Sequence, residues 1–482
     1  MGKFIVILSA VILMQSNIAA YPCIDADVHT AEVTVSEAAA SPTVTIDGEK
    51  YSVTQRELYL NGCSLTDSDI TAISKMTELR VLDLGNNRLG DLSPLSGLKK
   101  LEKLSVYGNY ISDITPLAGL DSLCELNLGE NYIRDISALE GMKSLTGLNL
   151  NGNALSDISP LAKLRGLEEL YISKNNITDI SALGGLKKLK YLGIANNQLT
   201  DTKALGKLTG LRELDISNNQ IKSIASLEDL KNLKKLYASK NRIRSISSLS
   251  GLTRLGELEL ENNEISDISA LSGLTKLTSL DLSGNRIKDI TPLSGLTKME
   301  ALDISYNKIR DISAVSGMTR LSALNIDKNS VSDLTPLTWL IALKELHASG
   351  CGIKDISPLR RLAMLNALDL SDNKIYDISV LSSLRALKKL DLGKNWISDI
   401  SPLSGLKELE SLFLDSNSIK DITPLGGLKK LRELDLCKNT IYDLDPLYEA
   451  KSLVTLKLDK TMFTEEELEE LGKALPGCRI LQ

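Results

Sequence analysis

The chain has little of what catalytic sites are usually made from. Among its 482 residues histidine occurs only as His29 and His347, and aromatic residues make up 4%. A nucleophile needs a base within hydrogen-bond reach, and no Ser or Cys stands with a histidine in a recognisable hydrolase pattern. Metal-type spacings of Cys and His are absent, as are the glycine-rich loops that cradle phosphates. No catalytic residue, no metal ligand and no cofactor is therefore expected. Excess positive charge is lacking too, since 62 acidic residues face 56 basic ones for a net of −6. Nucleic acid is not the expected partner, because phosphate binding needs clustered Lys and Arg. Beyond the first twenty residues no stretch is apolar enough for a transmembrane segment. With few aromatics, the core has to consist of many small, similar Leu and Ile contacts.

Residues 1–20 differ from everything after them. Lys3 supplies a positive charge, Phe4 to Met14 form an apolar run, and Ile18-Ala19-Ala20 end in small residues. This reads as a signal peptide cleaved near Ala20, its apolar run being too short to span a bilayer. The Ala20-Tyr21-Pro22 stretch before Cys23 lacks the small-residue, Leu-led context of a lipidated cysteine. The mature protein is expected outside the cytoplasm, secreted or at the cell envelope.

What the chain does have is a repeat. The phrase Leu79-x-x-Leu82-x-Leu84-x-x-Asn87-x-Leu89 returns every 22 residues, with Asn at 109, 131, 153 and onward to 439. Cys351 takes the Asn position once, Thr461 closes the series, and Cys63 precedes Asn87 by 24 residues. The Leu-x-Leu alternation predicts a short strand with its leucines inward, and stacked repeats predict a parallel sheet. A buried Asn carries donors and an acceptor for the backbone groups of the turn that follows. The second half of each repeat, as in Ile111 to Leu120, holds nine of the twelve prolines, eight of them directly after Ser or Thr. Here Ser or Thr is expected as an N-cap and the return arm as one 3₁₀ turn. The recurring Gly97, Gly119, Gly273 and Gly405 are expected at positive φ. The recurring Asp (Asp113, Asp135, Asp289, Asp399) suits a cap better than a calcium ladder, since one carboxylate per repeat falls short of six to eight oxygens. The expected fold is α/β: a leucine-rich-repeat solenoid with a concave parallel β-sheet and short 3₁₀ or helical return arms on the convex side.

Four segments follow: the signal peptide 1–20, a leader and N-terminal cap 21–57, the repeats 58–463 and a C-terminal cap 464–482. In the first cap, Val44-Thr45-Ile46 and Tyr51-Ser52-Val53 flank Asp47-Gly48, the pattern of a hairpin. In the last, Thr464 precedes Glu465, Glu466 and Glu467, a capping box opening a helix. Most cysteines are expected free, with Cys23–Cys63 the one pairing left open by repeat spacing. Trp339 stands where Gly is usual, next to the repeat holding His347 and Cys351.

This 22-residue phrase resembles the leucine-rich region of bacterial internalins over about Leu58 to Phe463. The resemblance implies a surface or secreted module whose concave face engages a partner, without naming it. No Leu-Pro-x-Thr-Gly sorting signal and no Ig-like module follow the repeats, which leaves wall anchoring and an invasin role unsupported. The phrase also resembles the regulatory subunit of protein phosphatase 1, a cytoplasmic or nuclear protein. The competing functions are thus an intracellular phosphatase regulator and a structural envelope protein.

The residues between the strand leucines should face outward. Their central column contains Asp215, Glu259, Asp281, Asp303, Asp369, Asp391 and five other positions of interest: Tyr171, Tyr237, His347, Phe413 and the acidic Asp435. Like charges on neighbouring strands repel, so the fold is expected to gain nothing from these acids. Tyr171, Tyr191 and Tyr237, bordered by Asp215 and Glu259, form the expected hot spot for a protein or glycan ligand, with Tyr107 nearer the N-terminal end. Trp396 and Phe413 form a smaller second candidate, and His347 is placed to meet Asp369 on the next strand. The chain is expected to be a monomer.

Overall fold

The computed structural model describes residues 42–481, so the signal peptide, most of the leader, His29 and the Cys23–Cys63 pairing lie outside the described residues. The chain forms two compact units, Met1–Ile243 and Arg244–Gln482. In the first, β1 (Thr43–Ile46) and β2 (Glu49–Ser52) pair antiparallel across Asp47 and Gly48, both at positive φ. That turn geometry is the one an Asp-Gly pair adopts most easily. Nine parallel strands follow, from Glu57–Tyr59 to Lys235–Tyr237. The second unit has eleven, from Glu257–Glu259 to Arg479–Leu481, with helix α1 (Glu465–Ala474) ahead of the last. Thr464 accepts from the Glu467 N–H while Glu467 reaches back to the Thr464 N–H, completing the capping box.

The register is the same throughout each unit. Leu82 pairs with Leu104 and Leu104 with Leu126, as Leu280 pairs with Leu302 and Leu302 with Leu324. Within each unit the three-residue strands therefore send their middle residue, leucine in all but the last (Ile480), to one column. Buried there, a leucine contributes on the order of 2 kcal/mol. The return-arm leucines and isoleucines back this column, and nearly all are fully buried. Small contacts repeated many times replace the missing aromatics.

The Asn ladder closes the strand exits. Asn285 Nδ2 donates to the carbonyls of Leu260 at 2.9 Å, Leu282 at 3.0 Å and Ser283 at 3.1 Å. Its Oδ1 accepts from the Ile265 N–H at 3.0 Å, so one side chain satisfies four backbone groups across two repeats. Cys351 fills this slot with a thiol donating to the Ile326 carbonyl at 3.2 Å. Cys63, at the head of the series, is exposed.

The return arms are 3₁₀ turns of three to five residues, apart from the seven-residue Asp69–Lys75 of the first repeat. Two details differ from the sequence reading. In most of these turns Ser or Thr is the first residue and caps nothing, while Leu205, Ala225 and Asp445 open three others. Asp two positions earlier does the capping, as where Asp91 Oδ1 accepts from the Ser93 N–H and Asp113 Oδ1 from the Thr115 N–H, both at 2.8 Å. The Ser93 hydroxyl and then its N–H hold the Asp91 carboxyl below its usual range, and the Thr115 N–H and then its hydroxyl do the same for Asp113. Of the four recurring glycines only Gly119 has positive φ. The left-handed position lies instead just before the ladder Asn, at Asn86, Gly108, Glu130 and Lys174 among others.

Candidate binding face

Each strand presents its first and third residues on the face opposite the leucine core, followed by a residue two further on. The third residues form the central column expected to bind. That column is far less exposed than expected. Tyr171 is 6% exposed and Tyr237 1%, and Asp215, Glu259, Asp281 and His347 are buried as well. Tyr107, Tyr191, Asp303, Asp369, Asp391 and Phe413 are half-buried. The reason is spacing: strands about 4.8 Å apart leave each central side chain walled by its neighbours above and below. Trp396 is 58% exposed, but it follows the ladder Asn395 and stands off the strand.

The acidic column also has a structural task, contrary to the expectation that the fold gains nothing from it. Asp215 Oδ1 accepts from the Ser217 N–H at 2.9 Å, Asp281 Oδ1 from Ser283 at 2.8 Å and Asp303 Oδ1 from Ser305 at 2.9 Å. Asp369 and Asp391 do the same for Ser371 and Gly393, both at 2.9 Å. An Asp or Asn here supplies the acceptor that a strand end needs as the chain leaves the sheet. Asn149 serves as well, accepting from the Asn151 N–H at 2.9 Å.

At three of the positions that cannot serve, Tyr171, Gly193 and His347, a neighbouring strand supplies the acceptor. Below Tyr171, the Ser173 N–H donates to Asn151 Oδ1 of the preceding repeat at 2.6 Å. Beside Gly193, the Ala195 N–H donates to Ser173 Oγ at 3.0 Å. Beside His347, the Ser349 N–H donates to Asp327 Oδ1 at 2.6 Å. The backbone is therefore satisfied where Tyr171 and His347 stand. Neither residue is demanded by the turn.

Around Tyr171 the sheet has been cleared. A Cβ on Gly193 would lie 3.2 Å from Tyr171 Cδ1, so the ring lies across the glycine of the next strand. A Cβ on Gly129 would meet Tyr107 Cδ2 at 3.1 Å in the same way. Burial, then Glu169 and Glu213 nearby, raises the Tyr171 hydroxyl pKa, and burial raises that of Glu169. Asp215 and Tyr237 face each other in register in the same unit, whereas Glu259 belongs to the second. Asn151, Ser173, Gly129 and Gly193 were not singled out from the sequence. The available signal was the loss of Asp or Asn at 171 and 193.

In the second unit Asp327, His347 and Asp369 come together, each offering one atom within 4.8 Å of the others. His347 and Asp369 pair in register, as expected, but Asp327 was missed because it lies two residues past its strand's central position. Burial pushes Asp327 up to about 7, helped by Asp369 and Asp303 and opposed by its bond from Ser349. Burial also takes Asp281 and Asp391 to about 7 and raises Asp303. Burial lowers His347 to about 4 despite the opposing pull of Asp369.

The family described as Leucine Rich repeats (2 copies) matches the chain in overlapping windows over 56–119, 121–163, 165–317 and 364–449. The unmatched stretch 318–363 contains Asp327, Trp339, His347 and Cys351. An internalin (InlF) from Listeria monocytogenes is 33% identical, with 70% of this chain and 87% of that one covered and a TM-score of 0.52. The functional domain of InlJ from the same organism is 25% identical, covering 75% of this chain and 74% of that one at a TM-score of 0.60. A leucine-rich-repeat protein from Leptospira interrogans shares the fold at a TM-score of 0.65 and 23% identity, covering 88% and 99%. No curated protein matches the chain. Among the described residues no helix is long and apolar enough to cross a membrane.

Proposed function

The chain belongs to the leucine-rich-repeat family, with internalin-like repeats, and we propose that it is a secreted or surface-displayed binder of a protein partner. The partner contacts the sheet face of the first unit around Tyr107, Tyr171 and Tyr191. One observation carries this reading. At Tyr171 the repeat gives up its own acceptor, Asn151 replaces it, and Gly193 makes room for the ring. A fold needing only stability would keep Asp or Asn there. Buried Tyr171 acts as the floor, and half-buried Tyr191 and Tyr107 offer the reachable edges. Tyrosine suits this task because it presents a large face and a hydroxyl with few rotatable bonds. Glu169, Glu213 and Asp215 border the rings and favour a partner with basic groups.

The test has two parts. Mass spectrometry of the N-terminus after cell fractionation should find a chain beginning near Tyr21 in the medium or envelope. An intact Met1 chain in the cytosol would instead favour the phosphatase-type regulator. Extracellular proteins that bind the mature chain should then bind a Tyr107→Ala/Tyr191→Ala variant at least tenfold more weakly, at unchanged Tm. Equal affinity would move the site off this face.

A further inference from the structure

We infer that Asp327, His347 and Asp369 form a binding site for a divalent transition-metal ion. The three side chains come from three successive repeats, and one donor atom of each lies within 4.8 Å of the other two. Ligand atoms around one ion at metal–ligand distances of about 2.0–2.2 Å stand roughly 3.4 Å apart in a tetrahedron. Side-chain rotations on the order of 1 Å, with no change in the strands, bring the set to that geometry.

The carboxylates are already oriented. Asp327 Oδ1 accepts from the Ser349 N–H at 2.6 Å, and Asp369 Oδ1 from the Ser371 N–H at 2.9 Å and the Ser371 hydroxyl at 2.7 Å. Oδ2 of each takes no part in these bonds. Metal-binding carboxylates are commonly fixed by outer hydrogen bonds of this kind. His347 is buried, so an ion there is shielded from bulk water on the side of the sheet.

The imidazole separates this set from the rest of the acidic column. The other central aspartates follow from the turn: each accepts from the N–H two residues on. His347 does not follow from it, because Asp327 has taken over that acceptor role. No other group of three such donors lies this close among the described residues. One imidazole and two carboxylates suit zinc, manganese, cobalt or iron better than calcium, which prefers oxygen alone in larger number. Three protein ligands leave a fourth position for water or a group from a partner.

Isothermal titration of the full mature chain with zinc chloride, after stripping with EDTA, should give one ion per chain with a Kd below about 10 μM. Cobalt should bind at the same site and show visible absorption bands, while calcium at the same concentration should not displace it. His347→Asn places at 347 the residue found at 325 and 149, so the fold should hold, as an unchanged Tm would verify. The affinity for zinc should then fall at least tenfold, and Asp327→Asn should do likewise. Asp281→Asn, outside the set, should leave it unchanged. Zinc binding that survives His347→Asn undiminished, or that calcium matches, would overturn the site, as would no binding at all.

Discussion

The two units have the same leucine core but different central columns. The first carries Asn127, Asn149, Tyr171, Gly193, Asp215 and Tyr237, mixing amides, rings and a gap. The second runs Glu259, Asp281, Asp303, Asn325, His347, Asp369 and Asp391, nearly all acid. Both columns satisfy the same backbone N–H groups, by amide or by carboxylate. The difference teaches that the repeat asks of this position only an acceptor, and in a few places not even that. What is added beyond the acceptor is free to vary, and there the two units diverge: one clears space for rings, the other accumulates buried charge.

The largest effect should be one that the units have in common. Asn175→Ala in the first and Asn285→Ala in the second each remove four hydrogen bonds to buried backbone. Each should cost about 3 kcal/mol in urea unfolding, equally in both units. A clear inequality would mean that the cores are less alike than their register implies.

Charge should separate them next. Asp281, Asp327 and Asp391 sit at about 7 when folded, above the ordinary carboxylate range. The folded state thus holds more protons than the unfolded one between roughly pH 4 and 7, so these groups weaken the fold as pH rises through that window. His347 at about 4 works the other way, removing stability as pH falls below its unfolded value of about 6.5. Three acids outweigh one imidazole, so Tm should rise from pH 8 to 5.5. Asp281→Asn keeps the acceptor for Ser283 and loses the charge. It should stabilise the protein by about 2 kcal/mol at pH 8 and leave it unchanged near pH 4. Hydrogen exchange should find the pH effect concentrated in the second unit, and an even spread would break the comparison.

The smallest effect belongs to the first unit. Gly193→Ala should cost about 1 kcal/mol by crowding the Tyr171 ring, and a Tyr171→Asn background should remove most of that cost. An equal loss in both backgrounds would show that Gly193 serves the backbone instead of the ring.

Much of this was legible beforehand because a 22-residue period repeats one packing problem many times. The leucine column, the Asn ladder and the 3₁₀ return arms follow from it, each by the side-chain chemistry of a fixed position. The capping Asp was legible as well. The role of Ser and Thr was not, since in so short a turn the residue two positions earlier reaches the open N–H first. The candidate face was legible only as a column of residues. Its burial was not, and neither were Asn151, Gly193 and Asp327, whose partners lie on other strands.

The sequence by itself determined the stack: its period, its strand direction, its inward leucines and the polar residue at every exit. Local pattern suffices for these, since each repeat contacts mainly copies of itself. Only the tertiary structure decided which side chains remain reachable, where one repeat lends another its acceptor, and which three donors converge. Those depend on unlike residues meeting at the same register position of adjacent strands, and a periodic sequence carries no mark of such meetings until the strands are laid side by side.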